Sequence, residues 1–501
     1  MIRRPPRSTL DRSSAASDVY KRQMAVDLDN GNTFTIDNAG TISASDAQHN
    51  MYGINIDSTN TTVSTLNNSG TILGETTTTN RRRGRGINIA SNASVGTLTN
   101  SGTITGQGRW YGGRGIYMVS TNGTLSSFIN TSSGIIEGIS GEGINGGDTY
   151  GSNAYGSYIN SSDSIAATLD NDGIIRGLSD LHTAQGLHLQ SKFSTIDNSG
   201  TILGQTDGYM AYGMQTGILG RPITTLNNSG TVSGVAGGNM AYGLYNSASI
   251  GTINNSGIIN ATASTNKSYG VYLYANNSDM TVTNFNNTGT ISASSGTTNS
   301  YGFLFAGYGD GLVTNFTNTG TISSSVGSGS NFDIYLNARS GDHTITNLNN
   351  SQGINVIYVL SYKGKLPTNY NVIVNSTSDY GQISFDSATG TTNFGVYNTS
   401  TLSGGTTYAS VIQGLATAKI GATRTGTLGS YSWTLQLQDG ETTVWDLVVE
   451  SNRTGYTSRI TSNKRSSIAA VLEAINTAGQ NSALTSALDG LSDTSLSLIH
   501  I

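Results

Sequence analysis

A ten-residue phrase, TLNNSGTILG at residues 65–74, returns with small changes along most of this chain, and its periodicity limits what the chain can fold into. It reappears as TLTNSGTITG from Thr97, TIDNSGTILG from Thr195, TLNNSGTVSG from Thr225 and TINNSGIINA from Thr252. With the glycine of the N-x-G unit as marker, copies fall at Gly40, Gly70, Gly102, Gly134, Gly173, Gly200, Gly230, Gly257, Gly289, Gly320 and, with one inserted residue, Gly353. They lie about 31 residues apart, and self-similarity at a fixed period of that size is the signature of a solenoid. Each unit of a solenoid buries its apolar side only by stacking on the next.

Composition decides what kind of solenoid this is. Of the 501 residues only 11% are charged, against roughly 25% in average proteins, and Gly, Asn, Ser and Thr dominate. Such a chain is either disordered or a repetitive β structure, and apolar residues at fixed intervals favour the β structure. A net charge of −5 spread over this length gives no sign of a nucleic-acid partner. With no cysteine there is neither a disulfide framework nor a thiolate metal site. No run of 18 apolar residues crosses a bilayer as a helix.

The repeat predicts one β-helix turn of three short strands. The first carries an inward residue at Ile36, Leu66, Leu98, Leu169, Ile196, Leu226, Ile253, Phe285, Phe316 or Leu348. Asn-Ser-Gly then turns the chain, with the glycine expected at positive φ. The second strand carries Ile42, Ile72, Ile104, Ile136, Ile175, Ile202, Val232, Ile259, Ile291 or Ile322, two residues after the marker. A variable polar loop leads to a third strand of form Y-G-core-x-core, as in YGINI at Tyr52, YGVYL at Tyr269 and YGFLF at Tyr301. Alternation puts Ile54 and Ile56, or Val271 and Leu273, inside and the residue between them outside. The asparagine two before the marker, at Asn38, Asn68, Asn100, Asn171, Asn198, Asn228, Asn255, Asn287 and Asn318, is expected to stack as an internal amide ladder. The fold class is therefore all-β: a parallel β-helix solenoid of about 11 rungs over residues 24–353.

Beyond Gly353 the period stops. Residues 354–450 read as strands, including Tyr370 to Val374, Gly381 to Phe385 and Tyr408 to Ile412, and end in the hairpin YSWTLQLQDGETTVWDLVVE around Asp439-Gly440. A solenoid end needs a cap, and Trp433 and Trp445 are placed to supply one. Within residues 451–493, a helix is expected over 466–479, with Ile468, Val471, Leu472 and Ile475 on one face, followed by a short one through Leu484, Leu488 and Leu491. Residues 1–23 and 494–501 share no period with the rest and read as non-native, adapter-derived tails, so a signal peptide is expected to be missing.

Degenerate N-x-G-x-I repeats followed by a distinct non-repeating β segment resemble the passenger domain of bacterial type V autotransporters. The resemblance covers roughly residues 24–493 and rests on architecture more than on one motif. It implies a right-handed parallel β-helix, an autochaperone-like segment at 354–450, a helical linker at 451–493 to an outer-membrane barrel in cis that is not in this chain, and residence at the cell surface or secretion.

Chemistry leaves little trace. There is no G-x-S-x-G elbow and no H-E-x-x-H. GEGING at Gly141–Gly146 satisfies G-x-G-x-x-G without the βαβ unit a nucleotide site needs. No cofactor is implied. Asp170 and Asp197 occupy equivalent places in consecutive turns, where they share a proton, hold Ca²⁺ weakly or diverge into solvent. The outward slot of the third strand holds Tyr117, Tyr158, His188, Tyr245, Tyr272 and Tyr335, a column that either stacks on sugars or a partner protein or packs on itself, with His188 expected at the surface. Arg81, Arg82, Arg83 and Arg85 are expected together in one loop, as an anionic-glycan contact or a solvated segment. These features point to an adhesin or display rod that binds a host or bacterial surface glycan or protein, or itself. The alternatives are a β-helical polysaccharide lyase or glycoside hydrolase, with convergent charged groups in one groove, and a passive spacer.

Overall fold

The computed structural model describes residues 24–28, 32–46, 49–57, 60–77, 82–108, 112–141, 153–161, 167–217, 221–276, 279–353 and 358–452, with residues 470, 471 and 474. Over them the chain is an all-β parallel solenoid of about 12 turns, the β-helix that the repeat predicts. A regular turn gives one strand to each of three sheets: Thr62–Asn68 to the first, Thr71–Thr76 to the second and Gly84–Ile89 to the third. Each pairs in parallel with its equivalent one turn on, so Leu66 meets Leu98, Ile72 meets Ile104 and Ile87 meets Ile116. The apolar positions thereby become continuous columns, and Leu66, Ile72 and Ile87 are fully buried. Phe128 fills the first-sheet column between Leu98 and Leu169. The repeat alignment misses it because two extra residues separate Asn130 from Gly134.

The asparagine ladder runs from Asn38 to Asn350. Nδ2 of Asn38 donates to Oδ1 of Asn68 at 2.7 Å, and the same bond recurs through Asn100, Asn130, Asn171, Asn198, Asn228, Asn255, Asn287 and Asn318 to Asn350 at 2.7–3.1 Å. From Asn38 to Asn255 each amide also reaches over its own corner; Asn68 Nδ2 lies 3.2 Å from the carbonyl oxygen of Gly70. The ladder thus fixes register between turns and closes the corner within each turn. Asn130 and Asn350 extend the predicted set.

The marker glycines correct one expectation. They do not adopt positive φ. Their requirement is space: a Cβ on Gly230 would fall on the carbonyl oxygen of Gly200, and one on Gly200 on that of Gly173. That same oxygen of Gly200 accepts from Thr231 N at 2.8 Å. Stacked corners leave no room for a side chain.

A second glycine shapes the third sheet. A Cβ on Gly270 would lie 2.8 Å from Ile291 Cγ2 and 2.6 Å from the Gly302 carbonyl oxygen. The ladder passes from Tyr269–Tyr301 to Val271–Phe303 without pairing the glycines. The strand bends there, and strict alternation fails.

Parallel stacking runs on past Gly353. The second sheet ends at Thr321–Val326, but Asn369–Val372 stacks on His343–Asn350 and Asn393–Val396 stacks on Asn369–Val372. With one strand fewer per turn the repeat shortens to 22 and then 24 residues, read between Asn347, Asn369 and Asn393. Gln352 takes the place of the missing strand, its Oε1 accepting from Ile322 N at 2.8 Å and its Nε2 donating to Ile322 O at 3.0 Å. Thr406–Gln413 then pairs antiparallel with Trp445–Ser451, which returns from Tyr431–Leu437 in the predicted hairpin. Trp433 stands 5.6 Å edge-on to Phe394 at the end of the first-sheet column, and buried Trp445 donates from Nε1 to Leu415 O at 2.7 Å. Of the predicted linker helix, residues 470, 471 and 474 are helical. The remainder of it, the second short helix and both tails lie outside the described residues.

At this junction Asp333 replaces the third-strand glycine. Its buried carboxylate accepts from Ser361 N and Oγ, each at 2.9 Å, and from Ser324 Oγ at 3.1 Å. Burial nevertheless dominates and pushes the carboxyl up to about 6.

Asn228→Leu removes the ladder acceptor of Asn198 and the donor to Asn255 Oδ1, and should lower stability by about 1–3 kcal/mol in denaturant melts, whereas Asn227→Ala on the outer face should stay within about 0.5 kcal/mol. Asp333 favours the folded state most when protonated, so its contribution is fully present below the unfolded carboxyl range and is lost as pH rises through about 6. Asp333→Asn should therefore stabilise more at pH 7 than at pH 4, by on the order of 1–3 kcal/mol in the difference between paired melts.

Candidate functional site on the outer face of the third sheet

Two columns of side chains stand next to each other on this face. One is the predicted slot, which in register runs Asn55, Asn88, Tyr117, Tyr158, His188, Gln215, Tyr245, Tyr272, Leu304 and Tyr335. The other is the first residue of the Y-G pair, which runs Tyr52, Arg85, Arg114, Tyr155, Gln185, Tyr212, Tyr242, Tyr269, Tyr301 and Phe332. The bend at the glycine brings the two together: Tyr269 and Tyr272 stack at 5.1 Å, and Tyr242 and Tyr245 meet edge-on at 5.6 Å.

Along the columns the rings continue the strand spacing. Tyr212 and Tyr242 stack at 4.6 Å and 3°, Tyr242 and Tyr269 at 5.0 Å, and Tyr245 and Tyr272 touch edge-on at 5.3 Å. Tyr242, Tyr269 and Tyr301 form a cluster separate from the solenoid core, with Tyr245, Tyr272 and Tyr335 packed against it and partly exposed. Burial among rings holds the Tyr272 and Tyr301 hydroxyls up to about 12, and pushes those of Tyr242, Tyr245 and Tyr269 further. The surface is thus a neutral aromatic strip. Mutual packing and ligand stacking are compatible here, since inner rings buttress outer ones.

At its N-terminal end the strip becomes cationic. Arg85 and Arg114 take the tyrosine place on consecutive turns. The Tyr117 ring lies 3.9 Å from the Arg85 guanidinium and 4.1 Å from that of Arg114, with Tyr52 and Tyr155 at 5.2 Å from their respective arginines. Desolvation lowers both, Arg85 to about 10. Arg85 is therefore not part of a loop cluster. Its place in R-G-I-N-I is that of the tyrosine in Y-G-I-N-I, so it enters the strand and is buried. Arg82 is exposed, Arg83 is half-buried, and Arg81 lies outside the described residues.

His188 also departs from expectation. It is 6% exposed, not a surface residue, because Tyr155 and Tyr158 close over it at 5.8 and 4.6 Å. Its Nδ1 bonds Gln185 Oε1 at 2.5 Å, its Nε2 has no partner, and burial followed by the Arg114 charge depresses it to about 3.

Asp170 and Asp197 do stand in register. Burial, then Asp172 and Asp197, raises the Asp170 carboxyl, while Asp197 Oδ1 accepts from Asn227 at 2.7 Å. Among the described residues no three His, Asp or Glu side chains gather as a metal site. A shallow groove of about 430 Å³ opens where second-sheet strands turn into third, lined by Leu181, Tyr209, Asn239, Thr265 and Asn266. Tyr209 is 47% exposed there. The Gly141–Gly146 loop falls largely outside the described residues.

The neighbouring Y-G column was the missed part of the site. Its signal was in the sequence, as an aromatic at i and i+3 in YGLY and YGVY, but period-2 counting from the core positions turns it inward. No protein-family model matches the chain, and no curated protein matches it. The geometry therefore carries the functional argument alone.

The strip yields a pH prediction. Unfolded, His188 takes a proton near pH 6.5; folded, it resists until about pH 3, so its stabilising contribution is present above pH 6.5 and falls as the medium is acidified. Between pH 7 and pH 5 the loss should be on the order of 1–2 kcal/mol, and His188→Gln should remove that part of the acid sensitivity in paired thermal melts.

Proposed function

We propose that this chain is a surface-displayed or secreted β-helical adhesin of the autotransporter-passenger type, which uses the aromatic strip to bind a surface glycan. The observation that carries the reading is the paired columns: partly exposed Tyr245, Tyr272 and Tyr335 held against a buried row of Tyr242, Tyr269 and Tyr301. Pyranose rings present flat CH faces, and a fixed aromatic row receives them with little loss of side-chain freedom. The rigid solenoid supports display away from the cell. In the same reading the Trp433 and Trp445 hairpin has an autochaperone-like role at the C-terminal end of the solenoid, and the chain is carried to the surface by an outer-membrane barrel in cis.

A lyase or hydrolase requires charged groups converging in one groove. Instead Glu137 is held by Arg176 at 2.6 Å on the second sheet, Asp342 and Asp386 pair with Lys365 and Lys363 near the cap, and Asp333 is buried beneath Ser361. This dispersal supports binding over catalysis.

On a glycan array the chain should retain a defined set of glycans, and Tyr245→Ala with Tyr272→Ala should reduce that signal at least about tenfold, the equivalent of roughly 1.4 kcal/mol. A double variant that stays folded and binds as the parent does would refute the assignment.

A further inference from the structure

We propose that the Arg85–Arg114 end of the strip binds a saccharide bearing carboxylate or sulfate groups, and so sets the class of glycan the strip accepts. The inference rests on the glycan-binding reading above. Two cations occupy consecutive turns in register, on strands about 4.8 Å apart, and share one face of the sheet. Like charges so placed repel, and neither arginine has an ion-pair partner among the described residues. Arg85 is partly served. Its Nη1 donates to Asn88 at 2.5 Å, Asn88 donates to Asn55 at 2.6 Å, and Asn55 donates to Asp27 at 2.9 Å, so the row of amides leads to a carboxylate two turns away. Arg114 bonds the Tyr117 side chain, but its Nε and Nη1 have no acceptor, and Arg85 Nε has none either.

A guanidinium is a planar fork made for an oxyanion with two oxygens, and leaving its donors unmatched inside an aromatic patch is costly. The Arg114 residue remains partly exposed on the strip, although its Nε and Nη1 are themselves buried. Tyr117 and Tyr158, also partly exposed and stacked at 5.3 Å, flank it with rings. Oxyanion acceptors beside stacking faces are what an acidic sugar presents. Nucleic acid also joins stacking faces to anions, but its binding neutralises a series of phosphates, and this strip offers two arginines on a chain of net charge −5.

The test measures binding of the full chain to polygalacturonate and its methyl ester, to dextran sulfate and dextran, and to an oligo-dT strand. The first pair isolates carboxylate, the second isolates sulfate. At least one acidic polymer should bind about tenfold or more tighter than its neutral counterpart, and Arg114→Gln should abolish that preference while Arg114→Lys keeps part of it. Equal binding of charged and neutral polymers, no binding of either acidic polymer, a preference unchanged in Arg114→Gln, or tighter binding of oligo-dT would each overturn the inference. The comparison of polymers uses the parent protein, so it stands even where a variant folds poorly. If neutral glycans bind through Tyr245 and Tyr272 and ignore Arg114→Gln, the strip reading survives and this one fails.

Discussion

The structure depends on the hydrogen bond that one asparagine side chain makes to the same side chain one turn away. A buried amide without a partner is costly, and an amide stacked on its copy at strand spacing satisfies donor and acceptor together. Because the bond from Asn38 to Asn68 is repeated to Asn350, a slip of any turn would break the ladder on both sides of it. Each turn is thereby held in register with its neighbours. The corner glycines serve the same stacking, since their missing side chains let one corner sit directly on the last.

Register at the corner has a consequence on the opposite side of the coil. Once equivalent residues must stack, whatever occupies an outward position becomes a column, and twofold use of tyrosine in Y-G-core-Y becomes a strip. Its rings bury one another and stay neutral across the physiological range, with Tyr272 and Tyr301 held up to about 12. Replacing tyrosine by arginine at residues 85 and 114 changes the character of one end without interrupting the stacking, since both guanidinium groups lie over the Tyr117 ring. The strip therefore varies in chemistry from turn to turn on a constant backbone.

Most of the fold was legible in the sequence, because a solenoid writes its core as a period. Leu66, Ile72, Ile54 and Asn68 could be assigned from spacing alone, and the predicted slot of Tyr117, Tyr158, Tyr245 and Tyr272 stands on the outer face. What spacing could not show were the local departures. Two extra residues hid Phe128 and Asn130, the bend at Gly270 turned Tyr269 outward against strict alternation, and ring closure buried His188. Continuation of the coil beyond Gly353 is illegible in the sequence for a different reason. Loss of the second-sheet strand shortens the turn, so the period changes while the stacking does not.

The claim that joins fold to function is that recognition occurs on the third-sheet strip and not at the corners. Hydroxyl-radical footprinting of the tyrosines, with and without the strongest glycan from an array, tests it most directly. The account predicts protection of Tyr245, Tyr272 and Tyr335, with Tyr209 and Tyr308 at the corners still labelled. Protection confined to Tyr209 or Tyr308, with the strip tyrosines unchanged, would contradict it.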